Sequence, residues 1–331
     1  MSVVTRGPAE PVEVPPPRRA GSVRRTATTL MFWPDGFDAE LHLKGRARDL
    51  LTPEHGDASV IAAAELFAVT GRARDVQRIE ASPSTVGLDG LIGCRAGGNL
   101  RKAISEQLPH EVERGTPLHL LLDDLAGATL IAGYTFFKWA DEFEGLRERL
   151  ESSQTRDMRG ICSGFRDGSS ALRPDGSLLG VSENTPVAPS LADPSDPLSW
   201  HELDVPPRIA MRRARRIDLW HVGERVEFDT MFRDSCWTPA EREEVLHEYQ
   251  ILGSADRVSG ELLTVTAVPR VLPYVECPGA APHAARMAGT ALPAMRREVL
   301  DRLRSTECCT HLNDGLRSLA EVPVLARSLA A

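Results

Sequence analysis

Apolar and polar positions follow the same scheme twice along the chain. An apolar run reaches Trp33 after the pair Arg24-Arg25, and another reaches Trp220 after Arg212-Arg213. Each is followed by a stretch of period two carrying Phe-Asp, at Phe37-Asp38 and at Phe228-Asp229. Residues Phe37, Ala39, Leu41 and Leu43 alternate with polar neighbours, the signature of a strand with one buried face. Arg48-Asp49 and Thr52-Pro53 then match Arg233-Asp234 and Thr238-Pro239. "AELFAVTGRARDVQRIEASP" and "HEYQILGSADRVSGELLTVTAVP" both read as strand, polar turn, strand. "HLLLDDLAGATLIA" and "HLNDGLRSLAEVPVLA" match if a short gap is allowed.

A colinear series of this kind signals duplication. The pattern predicts an α+β fold of two degenerate repeats. Each is an antiparallel sheet of three or four strands followed by two helices that cover one face, and the two pack about a pseudo-twofold axis like a fused dimer. The expected boundaries are residues 23–138 for the first repeat and 208–331 for the second. Between them, 139–207 reads as a connecting helix, a glycine-rich loop and, from about 183, a linker. Residues 1–22 are rich in Pro, Arg and Glu and read as a disordered tail.

Composition narrows the function classes. The chain has 331 residues and a net charge of −8, which gives no overall electrostatic footprint for nucleic acid. Its apolar runs fall short of the ~20 residues of a membrane span, and its N-terminus lacks the apolar core of a secretory signal. The expectation is a cytoplasmic protein without a membrane or nucleic-acid partner, with a small-molecule ligand as the open option. In that compartment its six irregularly spaced cysteines would be reduced.

Several stretches resemble one family. "ECP" (276–278), "MAGTAL" (287–292), "CTHLND" (309–314), "RSLAEV" (317–322), "GTPLHLLLDDLAGATLIAG" (115–133) and "GICSGFRDGSSAL" (160–172) look like the bacterial domain-of-unknown-function family 2889, closest to its longer, duplicated, actinobacterial members. The Cys-Thr-His-Leu element is intact at Cys309 to Leu312. The first copy has "PLHL" (117–120), which keeps His119 without the cysteine. The resemblance implies no activity; it directs attention to the second copy.

Three kinds of chemistry fit that copy. Leu312, Leu316 and Leu319 form a buried helical stripe, with Thr310 as the expected N-cap. Cys309 would then sit at a helix start, where the dipole should lower its thiol pKa. The leading reading is a cofactor-independent enzyme of acyl-transfer, hydrolytic or lyase type. Cys309, His311 and Asp314 would be its catalytic residues, with Arg166 and Arg233 as anion-holding substrate contacts. A second reading is a zinc or iron–sulfur site on Cys277, Cys309 and His311. The third is a non-catalytic binding or scaffold module in which these groups merely pack.

Other polar groups add less. Arg48-Asp49 and Arg233-Asp234 read best as ion pairs fixing strand ends, and "HEY" (247–249) is a further polar candidate. The glycines before Arg101 and Lys102 offer a weak anion cradle. Nucleotide-binding loops, zinc-protease and serine-hydrolase motifs do not occur.

Overall fold

The computed structural model describes residues 7–329 apart from Val181 and Glu183. Eight antiparallel strands form one sheet: β1 (Ser22–Phe32), β2 (Leu41–Thr52), β3 (Ser59–Thr70), β4 (Val76–Ser82), β5 (Ala210–Val222), β6 (Arg225–Trp237), β7 (Glu243–Asp256) and β8 (Leu262–Val271). Their spatial order is β4-β3-β2-β1-β5-β6-β7-β8, two four-stranded meanders joined edge to edge. The join pairs β1 with β5 antiparallel, Thr26 opposite Arg216 and Ala27 opposite Arg215. A pseudo-twofold axis therefore runs through the middle of the sheet, as the repeat predicts.

Registers repeat as well. Arg25 lies opposite Asp49 in the first meander, as Arg213 lies opposite Asp234 in the second. Both meanders carry a register shift just after that aspartate, where β2 meets β3 and β6 meets β7. One difference is local: Phe228-Asp229 lies within β6, whereas Phe37-Asp38 lies in the turn before β2.

Helices follow each meander. The first is followed by α1 (Gly98–Gln107), α2 (Pro109–Arg114), α3 (Pro117–Ile131), α4 (Tyr134–Lys138) and α5 (Leu146–Ser153). The second is followed by a 3-10 segment (Cys277–Met287), α6 (Met295–Arg302), α7 (Thr310–Arg317) and α8 (Val322–Arg327). Helices follow each strand block as expected, but more than the two expected per repeat. Helix α3 packs on β1, β2 and β3, and α7 packs on β6 and β7. The stretch Pro117–Lys138 is long and apolar enough to cross a bilayer, but it is mostly buried here as a core helix.

Period-two alternation divides the strand residues between two covered faces. Val23, Ala27 and Met31 of β1 face the helices, within two apolar clusters centred on α3 and α7. Thr26 and Thr28 face the other way. There His201 is held between their hydroxyls, Nδ1 to Thr26 Oγ1 and Nε2 to Thr28 Oγ1, each at 2.8 Å. Leu191 and Trp200 pack on Ala214 and Met231 of the same face. The stretch expected to be a linker is thus a strap over the second face of the sheet. It supplies apolar cover for Ala214 and Met231 and a carbonyl acceptor, Ser199 O, for the buried Arg24 of β1.

The expected disordered tail also makes contacts from Gly7 onward. Ala9 bridges to Val271, Val12 N donates to Glu248 Oε1 at 2.6 Å, and Arg18 pairs with Asp196 at 2.6 Å. Its polar composition hid backbone bonding to a sheet edge. Residues 1–6 of that stretch lie outside the described residues.

Candidate metal centre

Strands β6 and β7 place Asp234 and His247 directly opposite each other. Alternation turns both toward the helices and sends their neighbours Arg233 and Glu248 to the strap face. Helix α7 opens at Thr310, so His311 lies in its first turn, above this pair. The His311 and His247 rings stack, with centroids 3.6 Å apart and an interplanar angle of 12°. His311 Nε2 is 3.7 Å from Asp234 Oδ2. One donor atom from each of Asp234, His247 and His311 lies within 4.8 Å of the other two. Asp234 is fully buried and His247 nearly so, while the His311 side chain keeps 16% of its surface exposed.

The electrostatics fix both imidazoles as neutral. Burial pushes the His311 pKa down to about 3, helped by the Arg213 charge and opposed by Asp314. Burial and then His311 itself hold His247 well below the usual histidine range. Two imidazolium rings stacked this closely would repel strongly, so neutrality is also what the geometry demands. Neutral imidazole is the form that ligates metals. Among the described residues, His247 Nδ1 is buried without a hydrogen-bond partner. A buried polar atom left so costs about 1–3 kcal/mol and calls for an explanation.

The His311–Asp234 separation exceeds a hydrogen bond. It suits two atoms sharing one ion, since ligand bonds of about 2.0–2.2 Å span such a distance at an open angle. Asp234 is held from its other side by Arg213, whose Nε and Nη2 each donate at 2.9 Å. A carboxylate has about four acceptor positions, so this fork leaves lone pairs for a metal.

Arg213 belongs to a buried ionic chain that spans both repeats. Its guanidinium also meets Asp314 at 3.2 Å and Asp124 at 3.7 Å. Asp314 continues to Arg101 at 2.7 Å, and Arg101 to Asp123 at 3.3 Å. Asp123 is shared by Arg317 and Arg296. Arg296 reaches Glu321, which pairs with Arg25 at 2.8 Å, and Arg25 closes on Asp49 at 2.6 Å. With Arg215 on Asp124 at 2.5 Å, arginines and carboxylates in the chain are equal in number, so it is neutral overall. Gly127 of α3 is required for its passage: a side chain there would meet the Arg213 guanidinium and the Asp314 carboxylate.

The first repeat keeps half of the centre. Asp49 corresponds to Asp234, but its partner across β2 and β3 is Ala62 where the second repeat has His247. His119, the sequence counterpart of His311, lies 3.5 Å from Glu321, with Arg296 beside it. Among the described residues the three-ligand arrangement occurs only in the second repeat.

The expected Cys/His/Asp centre is not formed. Asp314 is engaged by Arg101 and Arg213 rather than His311. Cys309 Sγ approaches His311 Nδ1 only at 3.9 Å. Burial raises the Cys309 thiol pKa, despite the N–H groups of Leu312 and His311 and the Tyr249 hydroxyl beside it. Desolvation thus outweighs the helix start. Thr310 is the first helical residue, and the cap position falls to Cys309. Cys277 is likewise buried in the apolar cluster, with its pKa pushed well up. The described cysteines are all free thiols and join no metal-ligand group, so the Cys277/Cys309/His311 set is replaced by Asp234/His247/His311.

The two expected substrate arginines lie elsewhere. Arg166 is exposed, although its loop packs as expected: Ser163 N donates to Cys308 O and Ser170 N to Glu276. Arg233 is buried on the strap face and committed to Glu248, Pro189 O and Val12 O. The Arg-Asp dipeptides are not internal pairs, because neighbours on a strand point to opposite faces. Arg48 donates instead to Leu198 O, and Asp49 accepts from Arg25.

Residues 211–325 match the sequence model of a family described as proteins of unknown function, DUF2889. The matched region contains all three members of the Asp234/His247/His311 group. Neither a curated protein nor a solved structure matches the chain.

Proposed function

We propose that the protein binds a divalent transition-metal ion, of the zinc or ferrous class, on Asp234, His247 and His311. The observation that carries this reading is the convergence of one carboxylate and two neutral imidazoles, one with an orphan ring nitrogen, beneath helix α7 of the second repeat. Two imidazoles and a carboxylate form a ligand set of this metal class that leaves coordination positions open. A bound ion would supply Lewis acidity toward a water or a small polar molecule there. The chain's own part is to hold both rings neutral, to fix Asp234 through Arg213, and to present the partly exposed His311 edge, which turns out of the stack to aim its lone pair at an ion.

On this reading the whole chain, with repeats at 23–138 and 208–331, is a duplicated, actinobacterial-type member of the DUF2889 family. Its first copy has lost the middle ligand. Six unpaired thiols suit a reducing cytoplasm.

The test is metal analysis of protein purified without chelators under anaerobic conditions. Wild type and Cys309→Ser should each retain about one ion per chain, and His247→Ala and Asp234→Asn should retain almost none. Loss in Cys309→Ser with retention in His247→Ala would reject the assignment.

A further inference from the structure

The two repeats each carry a cleft at the same place, where the end of the third strand meets the helix that crosses the sheet. In the second repeat it lies among Val226, Ala255, Arg257 and Val322 and has a volume of about 320 Å³. In the first, the corresponding Leu41, Thr70 and Arg72 border a cleft of about 600 Å³. That volume is within the range of small-molecule sites, about 300–1,000 Å³.

The clefts differ in their walls. The larger has an aromatic floor: the Phe136 ring lies 4.7 Å from Trp33 and 4.5 Å from Phe37, centroid to centroid. Leu130 of α3 stands over this floor, 60% exposed. Its rim is cationic. Arg72 and Arg149 share a single acid, Asp38, each at 3.1 Å. Among the described residues Arg74 has no acidic partner: it donates to Ala126 O and Thr129 Oγ1, and burial together with the nearby Arg95 lowers its pKa. The lining has Arg72, Arg74 and Arg149 against Asp38, and with Asp75 beside Gly71 and Arg95 beside Arg74 the arginines still outnumber the carboxylates, so a surplus of positive charge stands beside exposed apolar surface.

We propose that this cleft of the first repeat binds an amphipathic monoanion, a medium-chain or aromatic carboxylate. The apolar body would lie on Trp33, Phe37 and Phe136, and the carboxylate would be held at the Arg72–Arg149 rim. Guanidinium forks match carboxylate geometry, and an aromatic floor accepts chain or ring. A neutral ligand would leave the surplus charge uncompensated, and a small anion would leave the floor uncovered. The site is independent of the metal centre, since it uses no residue of it.

The probe is 1-anilinonaphthalene-8-sulfonate, titrated by fluorescence on the full chain and then displaced by decanoate or by 1-decanol. Decanoate should displace it in a saturable way at a concentration at least tenfold lower than 1-decanol. Arg149→Glu and Leu130→Asp, both at exposed positions, should weaken decanoate at least tenfold with an unchanged melting temperature. Arg257→Glu, in the corresponding cleft, should leave its affinity as it is. Equal displacement by decanol would overturn the anion part. Retained affinity in Arg149→Glu and Leu130→Asp, or a loss confined to Arg257→Glu, would overturn the location.

Discussion

The Arg213–Asp234 pair is the point at which the stability of the sheet and the integrity of the candidate metal centre are coupled. Consider Arg213→Leu. The guanidinium is 1% exposed and is hydrogen-bonded at both ends of the Asp234 carboxylate. Removing it leaves a fully buried carboxylate without its counter-ion and takes a cation from Asp314 and Asp124. Breaking one partner of a buried pair costs about 3–5 kcal/mol. For a chain of this length the unfolding entropy is roughly 0.7 kcal/mol/K, so the melting temperature should fall by about 4–7 °C. Replacing Asp234 as well removes the stranded charge, and Arg213→Leu/Asp234→Leu should recover a substantial part of the loss. Calorimetry of the two single variants and the double variant gives the coupling directly. Arg25→Leu and Asp49→Leu form the matching cycle in the first repeat, where Arg25 is equally buried and also meets Glu321. If both arginine variants melt within about 1 °C of wild type, the ionic chain is not the central support inferred here.

Other expectations follow from the same structure. His201 and His311 both have pKa values pushed down to about 3, against an unfolded value near 6.5. The unfolded chain therefore binds more protons between those values, and stability should fall as pH drops below about 6.5, by roughly 1.4 kcal/mol per pH unit for each histidine. Glu321, held down to about 2 by Arg296, His119 and Arg25, adds a loss between about 4.5 and 2. A flat denaturant midpoint from pH 7 to 5 would contradict the neutral-histidine assignment. In thiol titration with a chromogenic disulfide, Cys94, which is only partly buried, should react first. Cys162, Cys236, Cys277, Cys308 and Cys309, all with raised pKa values, should wait for unfolding. Fast labelling of Cys309 in the native state would restore the nucleophile reading. Ala62→His in the first repeat should add no second ion, because Arg296 and Glu321 already engage His119; a doubled metal content would show that only one ligand was missing.

The architecture was legible because strand alternation and paired registers leave a linear record. Arg24-Arg25 with Arg212-Arg213, and Asp49 with Asp234, mark equivalent positions on either side of the axis. The centre was legible only in part. His311 stood out through the Cys-Thr-His-Leu element, and Asp234 and His247 appeared only as polar candidates. Their meeting depends on which residues face each other across β6 and β7, a relation with no fixed sequence spacing. Cys309 was misleading for a physical reason. A helix start favours thiolate, but the cysteine lies among Tyr249, Leu312 and Leu316 in an apolar cluster, and desolvation dominates. The strap was missed because Gly, Ser and Pro content reports turns and not burial. Leu191, Trp200 and His201 are the few residues in it that carry the contact.

Duplication explains why so much charge is buried at the middle of the sheet. Each repeat places an arginine and an aspartate on the helix-facing side of its first two strands, and the join of β1 to β5 brings both pairs near the axis. Helices α3 and α7 then contribute Asp123, Asp124, Asp314 and Arg317 from above, so that no pair is isolated. A neutral network of this size tolerates replacement at its ends more readily than at its centre, since an end group has a single partner. The two ends are where the repeats diverge. Beyond Asp234 stand His247 and His311, which make no other ion pair among the described residues and are placed to converge on a metal. Beside Asp49 stand Ala62 and the Glu321–Arg25 contact, which closes the network with its own charges. The pair of arginine and aspartate is thus present in both halves, and the two ends differ at two places: Ala62 stands where the second repeat has His247, and His119 is engaged by Glu321 and Arg296 where His311 stands over Asp234.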